Sequence, residues 1–382
     1  MKNKVLTGLL LVLIGGWGSL SAQSAGSNYA RQVNTLIGTK GVGLTSGYLY
    51  PGATYPYGMV QFTPSYFSKR SGFVINQLSG GGCEHMGNFP TFPVKGKLKM
   101  SPDNILNYRI NISEEKGHAG YYEAKVQEDI HAKLTVTERT GMASYEYPAD
   151  QQYGTVIIGG GISATPIEQA AIVITAPNKC EGYAEGGNFC GLRTPYKVYF
   201  VAEFDTDALE SGTWKRDELK PNTTFAEGEY SGVYFTFDVN KKKNIQYKIG
   251  VSYVSVENAR ENLKAENTGW DFLQIQNQAE SKWNHYLGKI EVEGTNPDRT
   301  TQFYTHLYRS FIHPNVCSDV NGEYMGADFR VHKSRSKHYT SFSNWDTYRT
   351  QIQLLSMVLK KGEEKKAEKG LQNSRILKRM AG

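Results

Sequence analysis

The chain has 382 residues, a length that suggests about two domains, each large enough to bury a hydrophobic core. Its formal net charge of +6 is concentrated at the two ends, since residues 1–22 carry +2 and residues 360–382 carry +5, which leaves −1 for the rest. A body without net positive charge lacks the basic face that follows nucleic-acid phosphates. The charge distribution therefore argues against a nucleic-acid partner.

Residues 1–22 have the pattern of a secretory signal peptide. Two lysines precede an apolar run from Val5 to Ile14, and small residues end the segment at Ala22. The run is too short for a transmembrane helix, and no later stretch is as long as the roughly 18 apolar residues that such a helix needs. We predict cleavage near Ala22, a mature chain without a membrane span, and export to the periplasm or the cell exterior, where disulfide bonds persist.

Residues 28–256 show the pattern of many short strands. Apolar and polar residues alternate, as at Tyr247, Ile249 and Val251, and Gly, Pro, Asn and Asp separate the runs. Strands without interleaved helices predict a mainly β N-terminal domain, an antiparallel β-sandwich. The candidate strands are Ile105–Ile112, Tyr121–Val126, Ile130–Thr137, Ala143–Tyr147, Thr155–Ile158, Lys197–Phe204, Gly232–Val239 and Ile245–Val254.

Residues 257–295 are predicted to form a helical linker. The segment Glu257–Glu266 has the composition of a short charged helix, and Asp271–Leu287 is predicted as a second helix. One face of this second helix would carry apolar side chains, namely Trp270, Leu273, Trp283 and Leu287.

Residues 296–359 are predicted to begin a second, helical domain. Asn296 followed by Pro297 is a typical helix start, and Tyr304, Leu307, Tyr308 and Phe311 would share one face of that helix. His306 and His313 are seven residues apart and are expected on this same helix, in core or interface positions. A final helix is predicted from Ser343, with a buried stripe formed by Trp345, Tyr348, Ile352, Leu355 and Leu359.

The segment between residues 48 and 93 combines turns, one strand and a glycine-rich loop. Pro51-Gly52 predicts a turn, and the strand-like run Gly58–Thr63 stops at Pro64. The loop Ser79–Pro90 contains glycines that allow close backbone approach, together with polar and aromatic side chains. Such a loop is a poor hydrophobic core and a good wall for a polar ligand.

Five ordered blocks resemble glycoside hydrolase family 92, the calcium-dependent exo-α-mannosidases. The resemblance extends over roughly residues 33–359 and rests on PGATYPYGMVQFTP (51–64), GGGCEHMGNFP (80–90), FYTHLY (303–308), HPNV (313–316) and FSNWDTYR (342–349). It implies a β-sandwich, a helical linker and the first helices of an (α/α)6 barrel. A barrel of twelve helices needs upwards of roughly 200 residues, so residues 296–359 could supply only its beginning. The tail 360–382 departs from the family's pattern.

The resemblance also implies an activity. Family members hydrolyse terminal α-linked mannose in glycans of the N-glycan or mannan type with inversion, using an acid and a base roughly 6.5–9.5 Å apart and a calcium ion that binds the sugar. The acid, the base and most calcium ligands are expected beyond residue 382, so no catalytic residue and no metal ligand is assigned. We therefore expect a truncated mannosidase that is inactive alone. The alternatives are a non-catalytic carbohydrate-binding β-sandwich and a surface adhesion domain.

Trp345 and Asp346 are candidate sugar-binding residues, because the matching Trp-Asp pair of the family lines the pocket for the terminal mannose. The spacing alone favours another role for the carboxylate. Ser343 and Asp346 have the S-x-x-D pattern of a helix capping box. Both roles can coexist.

Gly82, Cys83, His85 and Asn88 are interpreted as part of a loop that closes over the sugar site, with a tight structural turn as the alternative. Cysteine and histidine also suggest zinc, but two ligands are fewer than the four of a structural zinc site.

Cys180 and Cys190 enclose nine residues with three glycines and are candidates for a local disulfide. In the alternative, Phe189 and Cys190 approach the sugar pocket with Cys190 free. Cys83 and Cys317 are too isolated in the sequence to be paired.

Overall fold

The computed structural model describes residues 28–40, 47–65, 72–103, 111–341 and 344–359. The predicted signal peptide (1–22), the charged tail (360–382) and Ser343 of the predicted capping box lie outside these ranges. No helix among the described residues is long and apolar enough to cross a membrane.

Two antiparallel sheets face each other. With strands numbered in chain order, the first sheet has the order β1-β2-β3-β4-β9-β16-β13-β14. Its strands are β1 (Ala53–Thr54), β2 (Gln61–Pro64), β3 (Phe73–Val74), β4 (Thr91–Lys95), β9 (Tyr153–Gly159), β16 (Ser231–Asp238), β13 (Glu210–Lys215) and β14 (Glu218–Pro221).

The second sheet has the order β15-β10-β11-β12-β17-β8-β7-β6-β5. Its strands are β15 (Phe225–Glu227), β10 (Ile167–Ala176), β11 (Lys179–Phe189), β12 (Leu192–Phe204), β17 (Asn244–Ser252), β8 (Thr140–Glu146), β7 (Ile130–Val136), β6 (Tyr121–Val126) and β5 (Ile112–His118). Most of the predicted Ile105–Ile112 strand falls on residues that the structure does not describe.

The core lies between the two sheets and is rich in aromatic side chains. The ring of Phe73 in β3 stacks on that of Tyr145 in β8 at 6.3 Å, and Phe62 in β2 lies 6.3 Å from Tyr247 in β17. All four side chains are fully buried. Alternating strand residues thus fill the space between the sheets, which confirms the predicted antiparallel β-sandwich.

The predicted linker helices are present as α2 (Val256–Glu266) and α3 (Phe272–Leu287), after a short α1 (Tyr29–Gln32). Trp283 and Leu287 of α3 are buried as predicted, and the indole Nε1 of Trp283 donates to the carbonyl of Thr54 at 2.6 Å. Leu273 is 58% exposed, so its predicted burial is wrong. The buried stripe runs through Ile275, Ala279 and Trp283, and Leu273 lies to one side of it.

The next helix, α4 (Pro297–Ser310), starts as predicted: the side chain of Asn296 accepts from the backbone N–H groups of Asp298 and Arg299. Its predicted apolar face is buried against α1 and α3, and Tyr308 packs 4.5 Å from the ring of Trp283. His306 is exposed, so its predicted core or interface position is wrong. His313 follows the end of α4 instead of lying on it, but it is partly buried, in keeping with the predicted core or interface position.

Short elements complete the described chain: β18 (Asn315–Val316), β19 (Glu323–Met325), β20 (Val331–Lys333), β21 (Tyr339–Thr340), α5 (Asn344–Thr347) and α6 (Gln351–Val358). The single final helix predicted from Ser343 is therefore wrong, since Thr350 has a φ of +65° and separates α5 from α6. Trp345 and Tyr348 are 83% and 51% exposed, so the predicted stripe is not buried at these positions. Leu359 is buried as predicted.

Candidate functional site

The glycine-rich loop predicted at Ser79–Pro90, which together with Leu78 is called the loop from here on, has an unusual backbone. Met86 and Phe89 have φ values of +47° and +52°, a conformation that residues with a Cβ rarely adopt. A Cβ at Gly81 would lie 2.7 Å from Cε1 of His85, so a larger residue there would displace the imidazole. Strained backbone is found most often at functional sites, where surrounding contacts maintain it.

His85 stabilises the loop from within. Its Nε2 accepts from the backbone N–H of Leu78 at 2.7 Å, and its Nδ1 lies 2.7 Å from the carbonyl of Cys83. Nε2 can accept only in the neutral imidazole, so Nδ1 carries the proton and donates to Cys83. Burial lowers the pKa of His85 and favours the same neutral form. His85 therefore shapes the loop through both ring nitrogens.

Asn88 anchors the loop from below. Its side chain is buried, and its Oδ1 accepts from Nδ2 of Asn76 at 3.1 Å and from the hydroxyl of Tyr196 at 2.6 Å. The backbone N–H of Asn88 donates to Oδ1 of Asn76 at 2.8 Å. These bonds connect the loop to β12, on which Tyr196 lies.

A disulfide joins Cys83 of the loop to Cys190, with an Sγ–Sγ distance of 2.01 Å. The predicted Cys180–Cys190 bond is wrong, and Cys180 is a buried free thiol. The intervening residues form strand β11, in which ten residues extend about 33 Å, far beyond the reach of a disulfide. The prediction that Cys83 is too isolated to pair is corrected as well.

Cys190 occupies the tip of the hairpin between β11 and β12. Phe189 and Leu192 form the last pair of the ladder, and Cys190 and Gly191 between them have φ values of +53° and +81°. Positive φ at both residues of a two-residue loop is the pattern of a type I′ turn. The neighbouring Phe189 ring lies edge-on to His85, with 5.7 Å between centroids. The structure thus brings Cys83, His85, Phe189 and Cys190 together.

The chain segment after α4 reaches the same loop through His313. Its Nε2 accepts from the backbone N–H of Ser79 at 3.0 Å, and its Nδ1 lies 2.7 Å from Oδ1 of Asn315. Asn315 in turn donates to the carbonyl of Gly58 at 2.8 Å. The sequence analysis did not predict this role. The HPNV block, which contains both residues, was the feature of the sequence that could have indicated it.

Asp346 is close enough to His313 for its charge to raise the pKa of that histidine. Burial acts in the opposite direction and dominates, so the pKa of His313 is lowered to about 4. Trp345 and Asp346 are both exposed on α5. His313 thus contacts the loop directly and lies within electrostatic range of the short helix that carries the predicted Trp-Asp pair.

Two open grooves lie elsewhere on the described surface. One, of about 720 Å³, follows the exposed face of α3, and the other, of about 740 Å³, lies beside the β19–β20 hairpin. Neither is lined by a residue of the glycine-rich loop or by Asp346, so we do not assign them to the candidate site.

The described residues contain no group of three or more His, Cys, Asp or Glu side chains that could hold a metal ion. A cluster of three or more carboxylates, which many calcium sites use, is therefore not found in this part of the chain.

The chain matches two family models. They are described as the glycosyl hydrolase family 92 N-terminal domain, over residues 32–252, and the glycosyl hydrolase family 92 catalytic domain, over residues 258–376. A protein of Arthroderma benhamiae described as an uncharacterized secreted glycosidase is 26% identical over 363 residues, which are 84% of this chain and 45% of that protein.

Solved structures show the same relationship. The family GH92 α-mannosidase BT3965 from Bacteroides thetaiotaomicron has a TM-score of 0.76 and 25% identity, over 86% of this chain and 47% of its own. BT3965 has also been solved in complex with mannoimidazole. The inverting mannosidase BT2199 of the same organism shares the fold, with a TM-score of 0.72 and 24% identity over 86% of this chain and 46% of its own.

The chain spans about half the length of these relatives. The two family models together match most of its residues, in the order in which the sandwich and the first helices follow one another. The chain belongs to glycosyl hydrolase family 92, whose solved members include α-mannosidases.

Proposed function

We propose that this chain supplies the sandwich half of the sugar site of an exo-α-mannosidase, which removes terminal α-linked mannose from glycans of the N-glycan or mannan type. One observation carries the proposal: His313 accepts from Ser79 of the glycine-rich loop and is near enough to Asp346 for that carboxylate to act on its pKa. The mannoimidazole complex of BT3965 supports a mannose-type substrate.

Each part of this wall has a chemical role in the proposal. Peptide groups around Gly82 and Cys83 face the sugar closely because glycine allows backbone approach. Asp346 accepts hydrogen bonds from sugar hydroxyls, and a charged acceptor makes these bonds stronger than neutral ones. The rings of Trp345 and Phe189 offer apolar faces for the carbon skeleton of the sugar.

The proposed reaction is hydrolysis with inversion, in which one carboxylic acid protonates the leaving oxygen and a second carboxylate activates water. We propose, from the family resemblance, that residues 1–382 supply neither group. We propose that residues 1–382 alone bind mannose without hydrolysing the glycosidic bond.

We propose calcium as the cofactor of the complete site, where it would bind sugar hydroxyls and favour a distorted ring. Because the described residues include no cluster of three or more His, Cys, Asp or Glu side chains, we assign none of them as a calcium ligand.

The first experiment is incubation of the purified chain with an aryl α-mannoside and calcium. We expect no release of the aryl alcohol above background. Turnover would contradict the proposal that residues 1–382 bind mannose without hydrolysing the glycosidic bond. Binding to mannose-terminated glycans on an array is expected in the same preparation. An array without binding would contradict the proposed sugar site.

A non-catalytic carbohydrate-binding protein is the second candidate function. The 83% exposure of Trp345 supports sugar contact in this case as well, since an indole offers an apolar face to a ligand. The two candidates differ in whether the complete protein hydrolyses the bound glycan or only binds it. Linkage of this chain to the later part of a family relative would restore turnover in the mannosidase case alone.

We also propose that the protein is exported to the periplasm or the cell exterior. The Cys83–Cys190 disulfide supports this location, because such bonds persist mainly in oxidising compartments. The description of the Arthroderma benhamiae relative as secreted points the same way.

A further inference from the structure

We infer that His313 is a positioning residue for the glycine-rich loop: by accepting the backbone N–H of Ser79, it holds the sandwich side of the sugar site in place from the helical side. The relevance of this contact for sugar binding rests on the proposed function. The contact itself does not.

The geometry sets the protonation state that this role needs. Nε2 of His313 is 3.0 Å from the Ser79 nitrogen, and Nδ1 is 2.7 Å from Oδ1 of Asn315. Asn315 is fixed as an acceptor towards His313, because its Nδ2 donates to the carbonyls of Gly58 and Ile312 at 2.8 and 3.1 Å. Nδ1 must therefore carry the proton, and Nε2 is left with the lone pair that Ser79 needs.

The two histidines act on adjacent residues of the loop. His85 accepts from Leu78, within the loop, and His313 accepts from Ser79, from outside it. The disulfide at Cys83 attaches the loop to the second sheet. The hydrogen bond from Ser79 to His313 attaches it to the segment after α4. Removal of His313 should loosen the entry to the loop and leave the disulfide intact.

Protonation of His313 would place a donor against the donor N–H of Ser79. The ionisable groups that face it are His85 from the loop, whose positive charge would oppose protonation, and Asp346 from α5, whose negative charge favours it. The uncharged amide of Gln351 in α6 donates to the His313 carbonyl at 3.4 Å. Burial lowers the pKa of His313 to about 4, so the loop contact should persist at neutral pH and be lost in acid.

The test is the hydrogen-exchange rate of the Ser79 amide, followed by NMR in protein labelled with [15N]serine. His313→Phe removes the acceptor, whereas His313→Gln can replace Nε2 with an amide oxygen that does not titrate. The reference is the amide of Ser144 in the centre of β8, which reports global opening.

We expect the Ser79 amide to exchange about five to ten times faster in His313→Phe than in the wild type, which corresponds to the loss of one net hydrogen bond. His313→Gln should stay within about twofold of the wild type, and Ser144 should change little in both variants. In the wild type, protection of Ser79 relative to Ser144 should fall as the pH approaches about 4, and this fall should be absent in His313→Gln.

Equal Ser79 exchange in the wild type and His313→Phe would overturn the inference, as would parallel acceleration at Ser79 and Ser144. If the Phe variant does not fold, the acid-dependent loss of Ser79 protection in the wild type decides, and its absence contradicts the role.

Titration with methyl α-mannoside then tests the link to the sugar site. We expect affinity to fall at least fivefold in His313→Phe and within twofold in His313→Gln. A wild type that binds no mannoside contradicts the proposed function, while the exchange data still decide whether His313 positions the loop. Equal mannoside affinity in the wild type and the Phe variant would overturn the positioning of the sugar site.

Discussion

At the scale of single residues, the candidate site is held in a conformation that its own sequence does not favour. Met86, Phe89 and Cys190 all have positive φ, which costs of order 1–3 kcal/mol for each such residue. Contacts made by other parts of the chain offset this cost. The buried amide of Asn88, the imidazoles of His85 and His313 and the Cys83–Cys190 bond supply them.

The disulfide gives the first prediction at this scale. It closes a loop of 107 residues, so the substitution of Cys83 and Cys190 by serine should lower the free energy of unfolding by about 2–5 kcal/mol. Denaturant unfolding of both proteins, with and without reductant, measures this difference. The reductant should destabilise the wild type and leave the double variant unchanged.

The pairing itself is checked by peptide mapping without reduction. Cys180→Ala should retain the bond between Cys83 and Cys190. A peptide that links Cys180 to Cys190 would contradict the structure.

At the scale of elements, α4 connects the sandwich to the helical segment, and its start is specified locally. Asn296 accepts from two backbone N–H groups, and Pro297 takes the first helical position. Asn296→Ala should therefore lower the free energy of unfolding by about 1 kcal/mol, as measured by denaturant titration. Asn296→Asp, which keeps an acceptor, is the matched control and should cost less. An alanine variant as stable as the wild type would show that the cap contributes nothing.

The glycine-rich loop gives the pH prediction. The pKa values of His85 and His313 are lowered by burial, that of His313 to about 4, from an ordinary value near 6.5. Between these pH values the unfolded chain binds more protons than the folded chain. The contribution of the two histidines to the free energy of unfolding is therefore complete above about pH 6.5 and declines as the pH falls towards 4.

Comparison with His313→Gln separates the contribution of His313 to the pH dependence of stability from the contributions of other ionisable groups. We expect the wild type to lose about 1–3 kcal/mol more than this variant between pH 7 and pH 4, in urea titrations at both values. Identical losses in the two proteins would contradict the lowered pKa.

Elements with strong local signals could be predicted from the sequence, and those set by distant contacts could not. The Asn296-Pro297 start and the alternation along β17 follow from short-range rules. Strand β11 was not among the predicted strands, and glycine is unusual in strand interiors, but Gly182 is required by a neighbouring strand: a Cβ there would lie 2.1 Å from the carbonyl oxygen of Ala171.

The candidate site shows the same limit. The resemblance to a family identified the loop and the Trp-Asp pair, whereas the Cys83–Cys190 bond and the Ser79–His313 contact join residues 107 and 234 positions apart. No periodicity or local spacing encodes such distant pairs. The break between α5 and α6 depends on the left-handed backbone of Thr350, which no propensity favours.

At the scale of the whole molecule, the sandwich and the first helices form one connected structure around the segment after α4. Arg309 donates to the backbone carbonyls of Tyr50 and Thr35 at 3.1 and 2.7 Å, and Asn315 reaches Gly58. The proposed sugar site thus lies at a junction between the sandwich and the helices. Sites between domains are common places for ligand binding.

The central claim is that the loop, the hairpin tip and Asp346 bind one mannose residue. The most direct measurement is an NMR titration of the wild type and Asp346→Asn with methyl α-mannoside and methyl α-glucoside. Asn keeps the shape and the capping ability of the side chain but removes its charge. Asp328→Asn, in the exposed hairpin of β19 and β20, is the matched control.

The account predicts that the wild type and Asp328→Asn bind the mannoside in preference to the glucoside. Asp346→Asn should bind it at least tenfold more weakly, as expected for the loss of a hydrogen bond to a charged group. Equal affinity of Asp346→Asn and the wild type, or no preference for the mannoside in the wild type, would contradict the claim.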